Sequence, residues 1–284
     1  MTIVDAHVHL WDLSRFSLSW FRDDLGLPRM ASPASFREAA VSARPSVPVV
    51  ERGAPATRRN VSPREVGTAI AVQAGDTLPE MQWLLEVAAT DPVVRSVVLQ
   101  YVPGPEGWAG LAASVLNDRV RGIRVATPGG AADLSDVLAL DALCEGAAST
   151  GRVIEWLVRP AQLDAVAHVA ARHPHTTFVL CHLGLGAADP TPEWEDSLHR
   201  VAAHSNTSAK FSGLATGADD RARLVALATT ASTVFGADRL MFGSDWPMSA
   251  RVDSYPGLIH RVERAWDGRP DAFWGPVASE TYGI

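Results

Sequence analysis

Three short segments carry side chains able to do hydrolytic chemistry. The first is Asp5-Ala6-His7-Val8-His9. Alternate residues of a strand point to one side, so Asp5, His7 and His9 are expected on one face, with Val4, Ala6 and Val8 on the other. Two imidazoles at the end of a strand can bind a metal ion or polarise a carbonyl oxygen. The second segment is Leu240-Met241-Phe242-Gly243-Ser244-Asp245-Trp246-Pro247, where an apolar run stops at Gly243 and delivers Asp245 just beyond its end. That carboxylate reads either as an acid–base group or as the cap of a turn before Pro247. The third is Phe178-Val179-Leu180-Cys181-His182-Leu183-Gly184, which ends an apolar run on His182. The glycines at 184 and 186 lack the third glycine and the lysine of a nucleotide loop, so they read as letting the backbone pass close to a ligand.

These residues need strands to hold them. Short β-branched runs mark strands at Ile3–His9, Thr68–Gln73, Ser96–Val102, Gly122–Val125, Val153–Val158, Thr177–Cys181, Ala209–Phe211 and Leu240–Phe242. Ala/Leu-rich helices are expected at 77–90, 108–117, 135–149, 161–172, 193–204, 220–235 and 255–266, with Gly151 as a stop signal and Pro160 near a first turn. Strands alternating with helices imply parallel pairing. Eight strands in 284 residues fit one (β/α)8 TIM barrel over residues 1–284, a fold that takes about 250 residues; an open doubly wound sheet is the structural alternative. In a barrel, strand C-terminal ends form the reactive face. Closing the first strand beside the eighth would place His7 and His9 next to Asp245, with His182 across the mouth. Residues 11–64 fit neither period and carry Pro28, Pro33, Pro45, Pro48, Pro55 and Pro63. They read as an irregular insertion after the first strand, either a lid or a surface excursion.

Composition narrows the function classes. Net charge is −7, Lys210 is the sole lysine, and no basic cluster stands out, which argues against nucleic acid as a partner. Two distant cysteines, Cys144 and Cys181, make no disulfide framework, so a cytoplasmic setting is expected. Neither a signal peptide nor an apolar run of membrane-spanning length is evident. No Gly-x-Ser-x-Gly elbow appears, which disfavours a serine nucleophile. A small-molecule substrate is the expected partner; no pattern speaks to an oligomeric state.

The segments 5–11 (Asp-Ala-His-Val-His-Leu-Trp), Gly122-Ile123-Arg124, Leu157-Val158-Arg159-Pro160, His182-Leu183-Gly184, Lys210-Phe211-Ser212-Gly213-Leu214, 240–247 and the closing Tyr282-Gly283-Ile284 occur in an order that resembles the amidohydrolase-2 group. They are most similar to its branch of sugar-acid lactonases and 2-pyrone-4,6-dicarboxylate lactonases. The resemblance spans the chain except roughly 14–64, and implies a barrel that hydrolyses a cyclic ester. It gives His7, His9, His182 and Asp245 the polar centre and places Arg124 at the end of the fourth strand. Gln73, Glu155, Arg159, Lys210 and Trp246 become candidate substrate neighbours, though Gln73 and Lys210 equally suit a polar layer inside the barrel. His168, His173, His175, His199, His204 and His260 read as surface residues.

Metal-dependent relatives add a histidine at the fifth strand. Here Arg152–Val158 offers Glu155 and Trp156 instead, and Arg124 stands where a metal-bridging lysine would be needed. His7, His9 and Asp245 still supply three ligands. The expectation is no required cofactor and at most one weakly held zinc. In the expected mechanism Asp245 is the general base towards water, while His7, His9 and His182 stabilise the oxyanion and Arg124 assists or grips a carboxylate. The rivals are a mononuclear zinc hydrolase or decarboxylase on the same barrel, and a barrel that binds a ligand without turnover.

Overall fold

The protein is described by a computed structural model covering residues 2–41, 65–103, 116–186, 188–217, 220–266 and 271–284. The chain runs β1 (Thr2–Val8), β2 (Trp11–Asp12), β3 (Met30–Ala31), α1 (Pro33–Val41), β4 (Glu65–Val72), α2 (Leu78–Thr90), β5 (Val94–Gln100) and β6 (Val120–Ala126). It continues α3 (Leu140–Thr150), β7 (Val153–Leu157), α4 (Leu163–Arg172), β8 (Phe178–Leu180), α5 (Pro192–Ala202), β9 (Thr207–Phe211), α6 (Arg221–Phe235), β10 (Leu240–Phe242), α7 (Tyr255–Ala265) and α8 (Pro276–Tyr282). Eight strands pair in parallel in the order β1-β4-β5-β6-β7-β8-β9-β10, the expected (β/α)8 barrel. Closure between β10 and β1 is slender. Val8 bridges Trp246, His9 N donates to Trp246 O at 2.7 Å, and Asp245 N donates to His7 O at 2.8 Å. The seam therefore closes at the C-terminal rim, where the imidazole pair and Asp245 sit.

Local chemistry sets the helix boundaries. Thr77, Thr191 and Ser254 cap α2, α5 and α7 by accepting from the N–H groups of Glu80, Trp194 and Gly257, each with a proline in the first turn. Gly151 ends α3 at φ +64°, as its position in the sequence implies. The helix expected from 135 starts only at Leu140. Asp133 takes the Ser135 N–H and Asp136 takes the Ala131 N–H, so carboxylates hold the preceding backbone in turns that compete with helix. Residues 160–162 form a 3-10 turn ahead of α4. The helix expected at 108–117 lies almost entirely outside the described residues.

The insertion after β1 is ordered over residues 11–41. β2 and β3 form a small antiparallel pair, and Trp11, Phe16, Leu18 and Phe36 are buried. Phe36 of α1 packs on Trp246 at 5.5 Å and Tyr255 at 5.8 Å, fastening this segment over the β10 loop. Residues 42–64 lie outside the described residues. At the other end, α8 underlies the barrel: Val277, Ala278 and Tyr282 pack with Ala6, Ile70, Val72, Val98, Val153, Val179 and Met241 in an interior apolar layer. The helices cover the outer faces of the strands with the larger core. Among the described residues, no helix is long and apolar enough to cross a membrane.

Candidate active site

The alternation expected for β1 fails: Ala6, with Val4 packed against the same layer, lies on the interior side that His7 and His9 share rather than opposite them. A register shift between Asp5 and Val8 breaks the period. His7 and His9 still share the interior, but Asp5 is turned away from them. Its Oδ2 accepts from Tyr255 Oη at 2.9 Å, and its Oδ1 accepts from Ser244 N at 2.8 Å and His7 N at 3.1 Å. A bulge puts an extra residue on one strand and re-aims the side chains beyond it. Asp5 thus ties β1 to the loop after β10 rather than joining the imidazoles. Burial, acting against hydrogen bonds from Ser244, His7 and Tyr255 that lower it, holds its carboxyl above the usual range.

The shared centre is tight. His7 Nε2 and His9 Nε2 are 3.2 Å apart, and Asp245 Oδ1 stands 3.6 Å from the first and 3.5 Å from the second. The His182 ring centroid lies 4.8 Å from that of His7. Asp245 at φ +59° and His182 at φ +55° occupy the left-handed region, a strained choice for such residues and one often found at functional sites. Gly213 is forced. It sits at φ +60°, and a Cβ there would lie 2.7 Å from His182 Nδ1 and 2.9 Å from Asp245 Oδ2.

Above the centre opens a cavity of about 620 Å³, a size suited to a small organic molecule. Its wall includes His9, His182, Asp245, Arg124 and Arg159, with Gln100, Asp76 and Arg251. Ser19 and Trp20 of the insertion also contribute, and Trp20 Nε1 donates to Ala74 O at 2.8 Å. Arg124 donates from Nη2 to Gln73 O and from Nε to Gln100 Oε1 at 3.3 Å, which orients its remaining N–H groups.

Hydrogen bonds decide what the imidazoles can offer. His9 Nδ1 is 2.7 Å from Val72 O and His182 Nδ1 is 2.9 Å from Ser212 O. Facing a carbonyl, each Nδ1 carries the proton, so a neutral ring presents a bare Nε2. Burial keeps the rings neutral: it lowers the pKa of His182 to about 3 and those of His7 and His9 well below the usual 6.5. Bare nitrogens accept hydrogen bonds and cannot donate to an oxyanion. Donor groups on the cavity wall are instead offered by Arg124, Arg159 and Arg251. Burial also raises Asp245 to about 7, which suits a general base near neutrality.

Other candidate neighbours are placed away from the wall. Gln73 is buried, accepting from Gln100 N at 2.8 Å and donating to Glu80 Oε2 at 3.2 Å. Trp246 faces Phe36 on the outer side. Glu155 and Lys210 lie inside the barrel, paired at 2.6 Å with both side chains fully buried. Tyr282 Oη donates to Glu155 Oε1 at 2.5 Å, and Cys181 Sγ donates to Oε2 at 3.3 Å. None of the six histidines read as surface residues lines the cavity. The sequence reading did not single out Arg251 or assign roles to Gly213, Ser212 and Tyr282, although the last three stand in its short motifs. Gly213 carried the clearest signal, since a glycine after a strand end often marks a close approach.

The spacing of His7, His9 and Asp245 bears on whether they could hold a zinc ion. Four ligands bound at ~2.0–2.1 Å in a tetrahedron lie ~3.3–3.4 Å apart. Spacings of 3.2, 3.5 and 3.6 Å among His7, His9 and Asp245 match that pattern, so three ligand atoms fit. His9 also has the carbonyl partner that zinc-bound imidazoles use. His7 does not: its Nδ1 faces Lys210 Nζ at 3.4 Å and Cys181 Sγ at 3.9 Å.

Comparison with known proteins agrees with this architecture. An L-fucono-1,5-lactonase from Burkholderia multivorans is 29% identical over 314 aligned positions, covering 99% of this chain and 96% of the relative. A crystal structure of an amidohydrolase from Burkholderia multivorans with bound zinc superposes with a TM-score of 0.82 at 25% identity, covering all of both chains. A structure described as a 2-pyrone-4,6-dicarboxylic acid hydrolase from Pseudomonas putida shares the fold, with a TM-score of 0.72, 19% identity and coverage of 99% and 97%. The amidohydrolase family profile matches residues 4–276, so the chain belongs to the amidohydrolase family.

Proposed function

We propose that this protein is a lactonase, a hydrolase that opens a small oxygen-rich lactone by attack of water, with Asp245 as general base. The carrying observation is one carboxylate on the wall of a 620 Å³ cavity, raised to about 7 by burial and set against the Nε2 atoms of His7 and His9. The similarity to L-fucono-1,5-lactonase supports the reaction class. Asp245 takes a proton from water as the water oxygen bonds to the lactone carbonyl carbon. The bare Nε2 of His182 accepts a hydrogen bond that orients the water, and Arg124 stabilises the oxyanion. The ring C–O bond then breaks, the departing oxygen takes the proton back from Asp245, and a hydroxy acid is released. Strain held at Asp245 and His182 fits turnover better than passive binding.

Arg124, Arg159 and Arg251 line the cavity together with Asp76 and Asp245, an excess of cations that suits hydroxyl-rich or carboxylate-bearing rings. A sugar-acid lactone and a pyrone carboxylate both meet that description. The spacing of His7, His9 and Asp245 favours a second reading, in which one zinc sits there and supplies Lewis-acid polarisation of the carbonyl. The test is a panel of sugar-acid lactones and pyrone carboxylates, assayed by proton release with parent and Asp245→Asn protein before and after chelation. Failure to open any member faster than buffer would overturn the lactonase reading. Activity lost on chelation and restored only by zinc would select the second.

A further inference from the structure

Lys210, the chain's sole lysine, is fully buried beneath His7. Its Nζ is paired with Glu155 Oε1 at 2.6 Å, so it is an ammonium with donors only. Glu155 is held in turn by Tyr282 Oη and Cys181 Sγ, and the Tyr282 ring lies 5.3 Å from Nζ. A second donor of Lys210 reaches His7 Nδ1 at 3.4 Å. An ammonium cannot accept, and Cys181 Sγ, 3.9 Å from the same nitrogen, is only a weak acceptor, which favours a bare His7 Nδ1 with the proton of neutral His7 on Nε2.

That proton points at His9 Nε2, which is bare because Nδ1 of His9 donates to Val72 O. Every donor then meets an acceptor in one direction, from Lys210 through His7 and His9 to the Val72 carbonyl. The same proton occupies the place a metal would need on His7. Zinc would require the proton to move to Nδ1, where it would meet the N–H of Lys210, donor against donor.

We infer that Lys210, held by Glu155 and Tyr282, is a positioning residue that locks His7 in its Nε2–H form and so biases the His7–His9–Asp245 cluster against zinc. Lys210 does not touch the cavity; it acts through His7. The bias is separate from the lactone reading, because it can be measured without any substrate.

Two measurements test it. Long-range proton–nitrogen correlation on ¹⁵N-histidine-labelled, chelated protein reads the protonated nitrogen of each ring. His7 is expected as Nε2–H, with His9 and His182 as Nδ1–H. Finding His7 as Nδ1–H overturns the proposal and needs no variant. Zinc affinity, read by competition with a chromophoric chelator, is then compared between parent and Lys210→Met/Glu155→Leu, which removes both buried charges together. Outer-partner changes move zinc affinity by ~10–100-fold, so the folded double variant should bind zinc at least tenfold more tightly. A folded double variant that binds zinc no better than the parent also overturns the proposal. If the double variant fails to fold, the histidine protonation pattern of the parent decides alone.

Discussion

The mouth and the floor of this barrel hold similar residue types under opposite conditions. At the floor, Glu155 meets Lys210, Tyr282 and Cys181 and no polar atom of that group lacks a partner. At the mouth, Asp245 is 3.5–3.6 Å from imidazoles that stay neutral, and the Arg159 guanidinium has no carboxylate partner among the described residues. Three of the five described non-glycine residues at positive φ, His182, Leu183 and Asp245, fall on the same side. Satisfied networks rigidify, whereas unsatisfied groups keep capacity for a substrate. The floor is expected to govern stability and the mouth turnover.

The sharpest way to break this contrast is Asp245→Asn. The amide keeps the shape, tolerates the left-handed backbone and removes the base. Turnover should fall about 10²–10⁴-fold with the fold intact, measured as kcat on whichever lactone the panel identifies. A variant that turns over at the parent rate would move the base elsewhere. The opposite outcome is expected of Glu155→Leu, which leaves the Lys210 charge buried without a partner. That should cost about 3–5 kcal/mol in denaturant unfolding, and Lys210→Met in the same chain should restore most of it. If the single change leaves stability unaltered, the floor network does not govern stability.

Gly213→Ala sits between these extremes. The methyl group would press on both His182 and Asp245 and must adopt a left-handed backbone. A stability loss of about 1–2 kcal/mol and a fall in kcat on the order of tenfold or more are expected. Loss of stability alone, with kcat intact, would show that the mouth tolerates displacement. Arg159→Ala should act more weakly. Its guanidinium lies on the exposed rim of the cavity, so KM should rise about tenfold with kcat nearly constant. A fall in kcat with unchanged KM would instead place Arg159 in the transition state.

Much of this was legible because barrel chemistry follows strand ends. His9, His182 and Asp245 each end or follow an apolar run, and Arg124 stands two residues before the end of its strand; periodicity finds such runs without knowledge of pairing. The bulge in β1 was not legible, since an extra residue leaves no mark in Asp-Ala-His-Val-His; Asp5 was therefore placed on the wrong face. The protonated nitrogen of each imidazole was equally hidden, because it is set by Val72 O and Ser212 O, contacts distant in sequence. Glu155 and Lys210 were visible as strand residues, but only depth along the barrel separates a floor residue from a wall residue. The start of α3 failed for a local reason, the Asp133 and Asp136 turns, which a reading of Asp and Ser as helix breakers would have caught.

A pH-dependent stability difference isolates the charge at the mouth. Burial raises the carboxyl of Asp245 from the ordinary 3.8 to about 7. Below the ordinary value both folded and unfolded chains hold the proton, and the group adds no pH dependence. Between the two values the unfolded chain has lost the proton while the folded chain keeps it. The folded state then binds more protons, so this group's contribution to stability falls as pH rises across that window and levels off above about 7. Asp245→Asn removes the dependence. The melting temperature of the variant relative to the parent should therefore climb between pH 4 and pH 8. A change of about 1 kcal/mol moves Tm by roughly 2–4 °C in a domain approaching this size, so the drift is measurable by calorimetry. The parent's kcat/KM should fall about tenfold per pH unit below the same value, because the base must be ionised to accept a proton. A difference in Tm that stays flat over that range would mean that ionising Asp245 costs the fold nothing, and the mouth would then be as well compensated as the floor.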